Sequence, residues 1–143
     1  MQFTMIGMAV AAENPTASAA WFVQHFGFRV GVDLGWYVNT QHADHPTMGL
    51  DFVQRDHPSW PQATRGRTVV GTLLAFVVAD VEAEYERARS AGLEIVMPLV
   101  TEPWGQRRFQ VAAPDGLFVE VLQAVAPDPQ WLADNGLAGE PGA

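Results

Sequence analysis

Two carboxylates lie at matching places in two similar stretches of the chain, and they are the first candidates for chemistry. Asp51 lies in Leu50-Asp-Phe-Val-Gln54, and Glu120 lies in Val119-Glu-Val-Leu-Gln123. Paired carboxylates could orient a ligand through hydrogen bonds, or one of them could accept a proton as a general base. The alternative is that each acid is solvated or held by an arginine. The candidate arginines are Arg29, Arg107 and Arg108.

A basic and an amide side chain are expected beside Glu120. Residues 107–112 alternate in polarity as a strand does, so their apolar members face the core. Arg108 and Gln110 then point to the opposite side. The same alternation in the next strand places Phe118 and Glu120 on that side. We therefore expect one surface on which these polar groups orient a ligand beside an aromatic ring.

Tryptophan is abundant, with five in 143 residues. Trp36 and Trp104 lie near the ends of expected strands, and Trp60 lies in an expected linker. A tryptophan in such a place is often a rim residue that closes on a flat ligand. The alternative for each one is that it covers an edge of its own sheet. Three together favour binding. Tyr37 and Met48 are expected to extend the same wall, whereas alternation places Phe52 in the core.

Composition excludes several function classes. There is no cysteine, so disulfides, thiolate metal sites and a cysteine nucleophile are absent. The net charge is −8, with 16 acids against eight arginines and no lysine. This charge is unfavourable for binding to nucleic acid, whose backbone is also negative. The longest apolar run, residues 69–79, is too short to cross a bilayer. No basic segment precedes the first apolar stretch, so we expect a cytoplasmic protein that binds neither nucleic acid nor membrane.

The elements that must position these residues occur in a repeated order. Each half reads as a strand, a helix and three strands, with helices that begin at Asn14-Pro15 and Asp80 and end at Gly27 and Gly92. The order and the sequence echoes together predict an internal repeat. The expected strands are residues 3–12, 28–34, 36–41, 48–54, 69–79, 93–99, 107–112 and 117–123.

The echoes between the halves define the predicted domain organisation. Gly27-Phe-Arg-Val pairs with Gly92-Leu-Glu-Ile, and Met8-Ala-Val10 pairs with Phe76-Val-Val78. We expect a single domain over residues 1–125, followed by a tail. Its parts are module one (1–56), a linker (57–68), module two (69–125) and the tail (126–143), in which Trp131 and Leu132 are expected to dock.

Four segments of the second half carry a family resemblance: Leu74-Ala-Phe-Val-Val-Ala-Asp-Val81, Ala91-Gly92, Pro103-Trp-Gly105 and residues 113–123. With them the chain, over about residues 4–124, resembles the vicinal oxygen chelate superfamily of glyoxalases, extradiol dioxygenases and bleomycin-resistance proteins. The resemblance implies an α+β fold of two βαβββ modules related by internal pseudo-symmetry. It also implies curved mixed sheets that enclose a cleft, and a homodimer.

The resemblance also implies where a metal would bind. Metal-using members take one ligand from the first and one from the last strand of each module, and these positions correspond to Met5, Asp51, Leu73 and Glu120. Met5 and Leu73 are apolar, whereas a nickel, zinc or iron site needs three or four nitrogen or oxygen ligands. We therefore predict no metal and no other cofactor.

The chain is closest in character to the antibiotic-binding resistance branch. We predict a non-catalytic protein that confers self-resistance by sequestering a bleomycin-, mitomycin- or anthraquinone/enediyne-like aromatic natural product in a tryptophan-lined cleft, with no catalytic residue. The alternative is a glyoxalase- or dioxygenase-like lyase, isomerase or oxygenase, metal-free with Asp51 or Glu120 as general base, or less favourably metal-dependent. The predicted ligand-binding residues are Trp36, Tyr37, Asp51, Trp60, Leu73, Trp104, Arg108, Gln110, Phe118 and Glu120.

Overall fold

The computed structural model describes residues 1–137, which form eight strands and three α-helices. The strands are β1 (Ile6–Ala12), β2 (Phe28–Asp33), β3 (Tyr37–His42), β4 (Met48–Gln54), β5 (Leu73–Val77), β6 (Ile95–Glu102), β7 (Gln106–Ala112) and β8 (Phe118–Ala124). The helices are α1 (Pro15–Phe26), α2 (Val81–Ser90) and α3 (Pro129–Asp134). In this part of the chain no helix is long and apolar enough to cross a membrane.

The chain divides into two compact units. Unit 1 contains Met1–Thr72 and Ala113–Leu117, and unit 2 contains Leu73–Ala112 with the described residues from Phe118 onward. The sequence-based boundaries differ in two respects: the linker lies within unit 1, and so does the turn between β7 and β8. Asp115 in that turn accepts hydrogen bonds from the Glu13 amide (2.9 Å) and the Ser18 hydroxyl (2.6 Å).

Each unit contains one four-stranded mixed sheet of the same topology. The strand order is β1-β4-β3-β2 in unit 1 and β5-β8-β7-β6 in unit 2. The first and last strands pair in parallel, and the other neighbours pair antiparallel. With one helix after each first strand, this is the βαβββ arrangement twice, and the predicted α+β fold class is confirmed.

The helix ends follow the capping signals in the sequence. The side chain of Asn14 accepts a hydrogen bond from the Ala17 amide, and the side chain of Asp80 accepts one from the Ala83 amide. Both helices are followed by a glycine with positive φ, Gly27 after α1 and Gly92 after α2. Because both ends are capped locally, each helix has a fixed start and stop over one face of its sheet.

Each unit has its own core between helix and sheet. In unit 1, Phe22 on α1 packs against Phe52 on β4 with ring centroids 5.4 Å apart. In unit 2, Tyr85 on α2 packs edge-on against Phe109 on β7 at 5.1 Å. Since side chains alternate along a strand, Asp51 and Glu120 lie on the sheet faces turned away from the helices.

The strand register corrects one of the sequence echoes. Ala9 pairs with Asp51 in unit 1, and Ala75 pairs with Glu120 in unit 2. Met8-Ala-Val10 therefore corresponds to Leu74-Ala-Phe76, and the pairing with Phe76-Val-Val78 was wrong by two residues. A two-residue shift keeps every side chain on the same face of the sheet, so the apolar pattern cannot detect it.

Two further boundaries differ from the sequence prediction. β5 begins at Leu73 rather than at residue 69, because Gly71 adopts a left-handed turn at φ 72°. The tail contains α3, which begins at Pro129 after an Asp128 cap. Trp131 on this helix packs 6.4 Å from the Trp104 ring, as expected for docking of the tail. The tail prediction for residues 138–143 lies outside the described residues.

We expect Gly116→Ala to lower the free energy of unfolding more than Gly92→Ala. Both glycines have positive φ, 80° and 71°, so alanine at either costs about 1–2 kcal/mol of backbone strain. At Gly116 a Cβ would also lie 2.7 Å from the Val69 carbonyl oxygen, whereas at Gly92 nothing lies within 4 Å. Overpacking of this kind adds about 1–3 kcal/mol. Urea unfolding measures the difference, and equal losses would contradict the close approach of Val69.

Candidate functional site

The polar centre of unit 2 is the Glu120 carboxylate on β8. The residue is only 6% exposed, so its charge requires partners. Arg108 Nη1 donates to Glu120 Oε1 at 2.6 Å, and Gln110 Nε2 donates to the same oxygen at 2.9 Å. Both donors lie on β7, where Gln110 is the direct register partner of Glu120. Their predicted placement on one surface with Glu120 agrees with the structure.

A second carboxylate holds Arg108 from the other side. Glu102 Oε1 accepts hydrogen bonds from Arg108 Nε at 3.1 Å and from Arg108 Nη2 at 2.8 Å. The hydrogen bond to Glu120 is the main cause that raises the pKa of Arg108 above its ordinary value. Sequence analysis missed Glu102, because β6 was expected to end before it. Pro98 interrupts the strand pattern, and β6 passes through two register shifts before it reaches Glu102.

Aromatic and apolar side chains lie next to these charges. The Arg108 guanidinium lies over the Trp104 ring, 5.5 Å from its centroid, and Trp104 Nε1 donates to Gln106 at 2.9 Å. Leu73 and Phe118 are register partners on β5 and β8. Leu73, Trp104 and Phe118 are 43%, 41% and 41% exposed, so each presents much of its side chain outward.

Unit 2 therefore brings six of the predicted residues into one neighbourhood. Five share the sheet face by register, and Trp104 adjoins them through Arg108. We call this set the Glu120 face. It consists of Leu73, Trp104, Arg108, Gln110, Phe118 and Glu120.

Asp51 in unit 1 occupies the equivalent register position but has different partners. Asn39 Nδ2 donates to Asp51 Oδ1 at 2.8 Å, and the Tyr37 hydroxyl donates to Oδ2 at 2.9 Å. Gly31 on the neighbouring strand β2 leaves space for the side-chain amide of Asn39. A Cβ at that position would lie 2.6 Å from Asn39 Oδ1. Burial, and then the hydrogen bond and charge of Asp51, raise the pKa of Tyr37.

The two carboxylates differ in their remaining acceptor capacity. Each Asp51 oxygen accepts a hydrogen bond from its own sheet. Both hydrogen bonds to Glu120 go to Oε1. Within residues 1–137, Oε2 accepts none and is not among the fully buried unpaired atoms, so it is accessible to a donor from outside. The Glu120 face thus holds a fixed carboxylate with one available oxygen.

The other two predicted tryptophans, Trp36 and Trp60, lie in unit 1. Trp36 stacks on the His57 ring with centroids 3.8 Å apart and a 9° interplanar angle. Trp60 lines a cavity beside β1, and none of the other nine predicted residues is among the residues that line it. The Trp36 ring also lies 5.7 Å from the ring of Tyr37, whose hydroxyl donates to Asp51.

Comparison with known proteins shows where this architecture occurs. The family model for the Glyoxalase/Bleomycin resistance protein/Dioxygenase superfamily matches residues 5–121. The chain belongs to this superfamily. This confirms the resemblance, although it does not single out the resistance branch within the superfamily. No curated protein sequence matches the chain at a significant level.

Several solved structures of the superfamily share the fold. TioX from Micromonospora sp. ML1 is 22% identical with a TM-score of 0.70, covering 86% of this chain and 100% of TioX. A glyoxalase/bleomycin resistance protein/dioxygenase from Nocardioides is 18% identical with a TM-score of 0.71, covering 87% and 85%. Lactoylglutathione lyase from Agrobacterium tumefaciens is 19% identical with a TM-score of 0.68, covering 85% and 94%. These likenesses show the fold and not the activity.

The residues of this chain do not fit the metal site that some superfamily members use. Leu73 lies opposite Phe118, and the equivalent residue of unit 1 is Gly7 opposite Gly49. The assignment of that position to Met5 was therefore wrong by two residues; Met5 precedes β1, and its methyl group lies over Gly49. Neither Gly7 nor Leu73 carries a ligand atom. Over residues 1–137, no group of three or more His, Asp and Glu side chains could hold a metal ion.

We expect a chelator to leave the melting temperature unchanged. Gly7 and Leu73 supply no metal ligands, and hydrogen bonds from Tyr37 and Arg108 already engage the two carboxylates. Thermal unfolding with and without EDTA tests this, with added nickel, zinc and manganese as the converse measurement. A drop with EDTA, or a rise with one metal, would contradict the ligand assignment.

We expect Asp51→Asn to lower the pKa of Tyr37 while leaving it above 10.0. The substitution removes the charge of Asp51, but burial, the largest cause of the rise, remains. In the wild type, the stability linked to protonated Tyr37 is present below pH 10 and is lost as the pH rises through the raised pKa. Ultraviolet titration against a Tyr37→Phe reference isolates this group. Asp33→Asn is the matched control, and an unchanged pKa in Asp51→Asn would contradict the hydrogen bond.

Proposed function

We propose that the chain is a non-catalytic binding protein whose Glu120 face takes a flat aromatic natural-product antibiotic and sequesters it. The single observation that carries the proposal is the available Oε2 oxygen of a carboxylate that Arg108 and Gln110 hold in place. A pre-positioned acceptor among exposed apolar side chains is the usual chemistry of a small-molecule site.

The charges of the Glu120 face favour a ligand with a positively charged donor. The Arg108 guanidinium lies between the carboxylates of Glu102 and Glu120, so the three groups leave one net negative charge. The net charge of −8 on the whole chain acts in the same direction, although salt screens it. An amino group on the ligand would satisfy Oε2 and this charge together.

The apolar groups favour a planar ring system. Phe118 and Leu73 lie side by side at one end of the face, and the Trp104 ring lies at the other end beside Arg108. Offset or edge-on contacts with aromatic rings stabilise a bound ring beyond the area that they bury. A cationic compound of the anthraquinone class combines both requirements, and bleomycin-, mitomycin- and enediyne-like compounds are the other members of the proposed ligand class.

The rest of the predicted site and assembly belongs to this proposal. Trp36, Tyr37 and Asp51 would act as polar and aromatic contacts in unit 1. We further propose that the protein acts in the cytoplasm as a homodimer, as the family resemblance implies. The exposed apolar side chains of β2, Val30 and Val32, favour an interface.

The second candidate function is a metal-free lyase, isomerase or oxygenase with a carboxylate as general base. The free Glu120 Oε2 is the observation that favours it, since this oxygen could accept a proton. Asp51 is the weaker candidate base, because both of its oxygens already accept hydrogen bonds. The two functions differ in the fate of the ligand, which a binding protein releases unchanged and an enzyme converts.

We expect the cationic anthraquinone doxorubicin to quench the protein's tryptophan fluorescence saturably and to be recovered unchanged by mass spectrometry. Phe118→Ala should weaken binding about tenfold, because it removes the ring contact. Glu120→Gln should weaken it similarly by removing the charge, and Trp21→Phe on α1 is the matched control. The same titration with bleomycin and mitomycin C compares the affinity of the protein for other members of the proposed ligand class.

Two outcomes would contradict this proposal. If no compound binds saturably, or if the Glu120 and Phe118 variants bind as the wild type does, the Glu120 face is not the site. If the wild type converts the compound and Glu120→Gln does not, the protein is an enzyme with Glu120 as general base and not a binding protein.

A further inference from the structure

The chain after β8 returns to the turn between β6 and β7. Residues 125–134, which we call the C-terminal segment, lie beyond the part of the chain that the family model matches. The Val125 amide donates to the Gly105 carbonyl at 2.9 Å, and the Asp128 amide donates to the Pro103 carbonyl at 2.9 Å. These two hydrogen bonds fix the backbone on either side of the residue between them.

The turn and the C-terminal segment fit closely together at Gly105. This glycine has a φ of 99°, a left-handed conformation that other residues rarely adopt. A Cβ at this position would lie 3.0 Å from the Val125 carbonyl oxygen and 3.3 Å from the Pro127 Cβ. The glycine therefore serves both the backbone conformation of the turn and the close approach of the segment.

Trp104 is the residue between the two anchored carbonyl groups, and side-chain contacts also hold its ring. The Trp131 ring on α3 lies 6.4 Å from it, tilted by 56°. Trp104 Nε1 donates to Gln106 Oε1 at 2.9 Å, and the Arg108 guanidinium lies 5.5 Å from the ring centroid. A ring held in this way has little freedom left to lose when a ligand binds, so it is pre-organised.

The ring that the C-terminal segment holds is partly exposed rather than buried in the core. Trp104 is 41% exposed, so these contacts leave much of its surface open to a ligand. Arg108, which lies over the ring, donates to Glu120 Oε1 at 2.6 Å. The position of Trp104 therefore bears both on the aromatic end of the Glu120 face and on the guanidinium that holds its carboxylate.

We propose that Trp131 is a positioning residue of the ligand site, which holds the Trp104 ring in place beside the Arg108 guanidinium and thereby sets the affinity of the Glu120 face for an aromatic cation. The inference rests on the proposed function of that face. It extends the site to a segment outside the family model. Loss of Trp131 should weaken binding although every residue of the Glu120 face is unchanged.

The first test follows the indole groups of the ligand-free protein by proton–nitrogen NMR. The five tryptophans give five indole signals, and Trp104→Phe and Trp131→Phe assign two of them by their loss. In the wild type, nuclear Overhauser contacts should connect the ring protons of Trp104 and Trp131. Trp131→Ala should shift and broaden the Trp104 signal, because the ring loses a neighbour, whereas Trp131→Phe should keep that signal near its wild-type position.

The second test measures affinity for doxorubicin through the anisotropy of the compound's own fluorescence, which does not depend on the number of tryptophans. Trp131→Ala should weaken binding about fivefold, because the ligand must then immobilise the Trp104 ring itself. Trp131→Phe keeps a ring at this position and should restore most of the affinity. Gln130→Ala is the matched control, because this exposed side chain of the same helix donates to Asp134 at 2.8 Å and has no recorded contact with the turn.

Two results would overturn the inference and leave the proposed function intact. The first is wild-type affinity in Trp131→Ala when Phe118→Ala weakens binding. The second is equal weakening by Trp131→Ala and Gln130→Ala, which would show that the stability of α3 sets the affinity and not the tryptophan ring.

Two further results separate the failure of the inference from the failure of the proposed function. The absence of contacts between the rings of Trp104 and Trp131 in the wild type would overturn the inference without any variant or ligand. If the wild type binds no compound, the proposed function fails, and the dependence of affinity on Trp131 fails with it. The Trp104 signal in Trp131→Ala then decides by itself whether Trp131 positions the ring.

Discussion

In each unit the first strand runs parallel to the last, and this pairing sets most of the architecture. Parallel neighbours cannot be joined by a tight turn and need a crossover connection, which here consists of a helix and two further strands. The helix then covers one face of the sheet and leaves the other face open. Asp51 and Glu120 pair with alanines on the first strands, so no bulky side chain from β1 or β5 stands opposite them.

The same register serves two different local chemistries. In unit 1, two neutral donors, the Tyr37 hydroxyl and the Asn39 amide, each donate a hydrogen bond to one oxygen of Asp51. In unit 2, Arg108 and Gln110 share one oxygen of Glu120, and Glu102 competes for the same guanidinium. The repeated register thus holds one carboxylate with a hydrogen bond on each oxygen and one with a free oxygen, so the acid of unit 2 has more acceptor capacity left for a ligand.

Signals that depend on a few neighbouring residues predicted the structure well. Asn14 and Asp80 identified the helix starts through their capping side chains, and alternation placed Arg108 and Gln110 beside Glu120. These features are local, because a cap or an alternating strand is recognisable within a few residues. The fold class followed from the repeated order of such elements.

Features that depend on long-range pairing were not predictable in the same way. The two-residue error at Met5 arose because that shift preserves the face of every side chain. Glu102 was missed because the bulges of β6 break the alternation that would have revealed it. The segment around Trp60 has no periodicity, and its order comes from Arg65 bonding to backbone carbonyls, for which the sequence contains no pattern.

The most direct test of a ligand site on the Glu120 face is a crystal structure of the protein with the compound that binds most tightly. We predict the compound on the open face of the unit 2 sheet, with its ring near Phe118 and a donor group at Glu120 Oε2. A compound bound elsewhere, or a metal ion coordinated by Glu120 in place of the Arg108 ion pair, would contradict it.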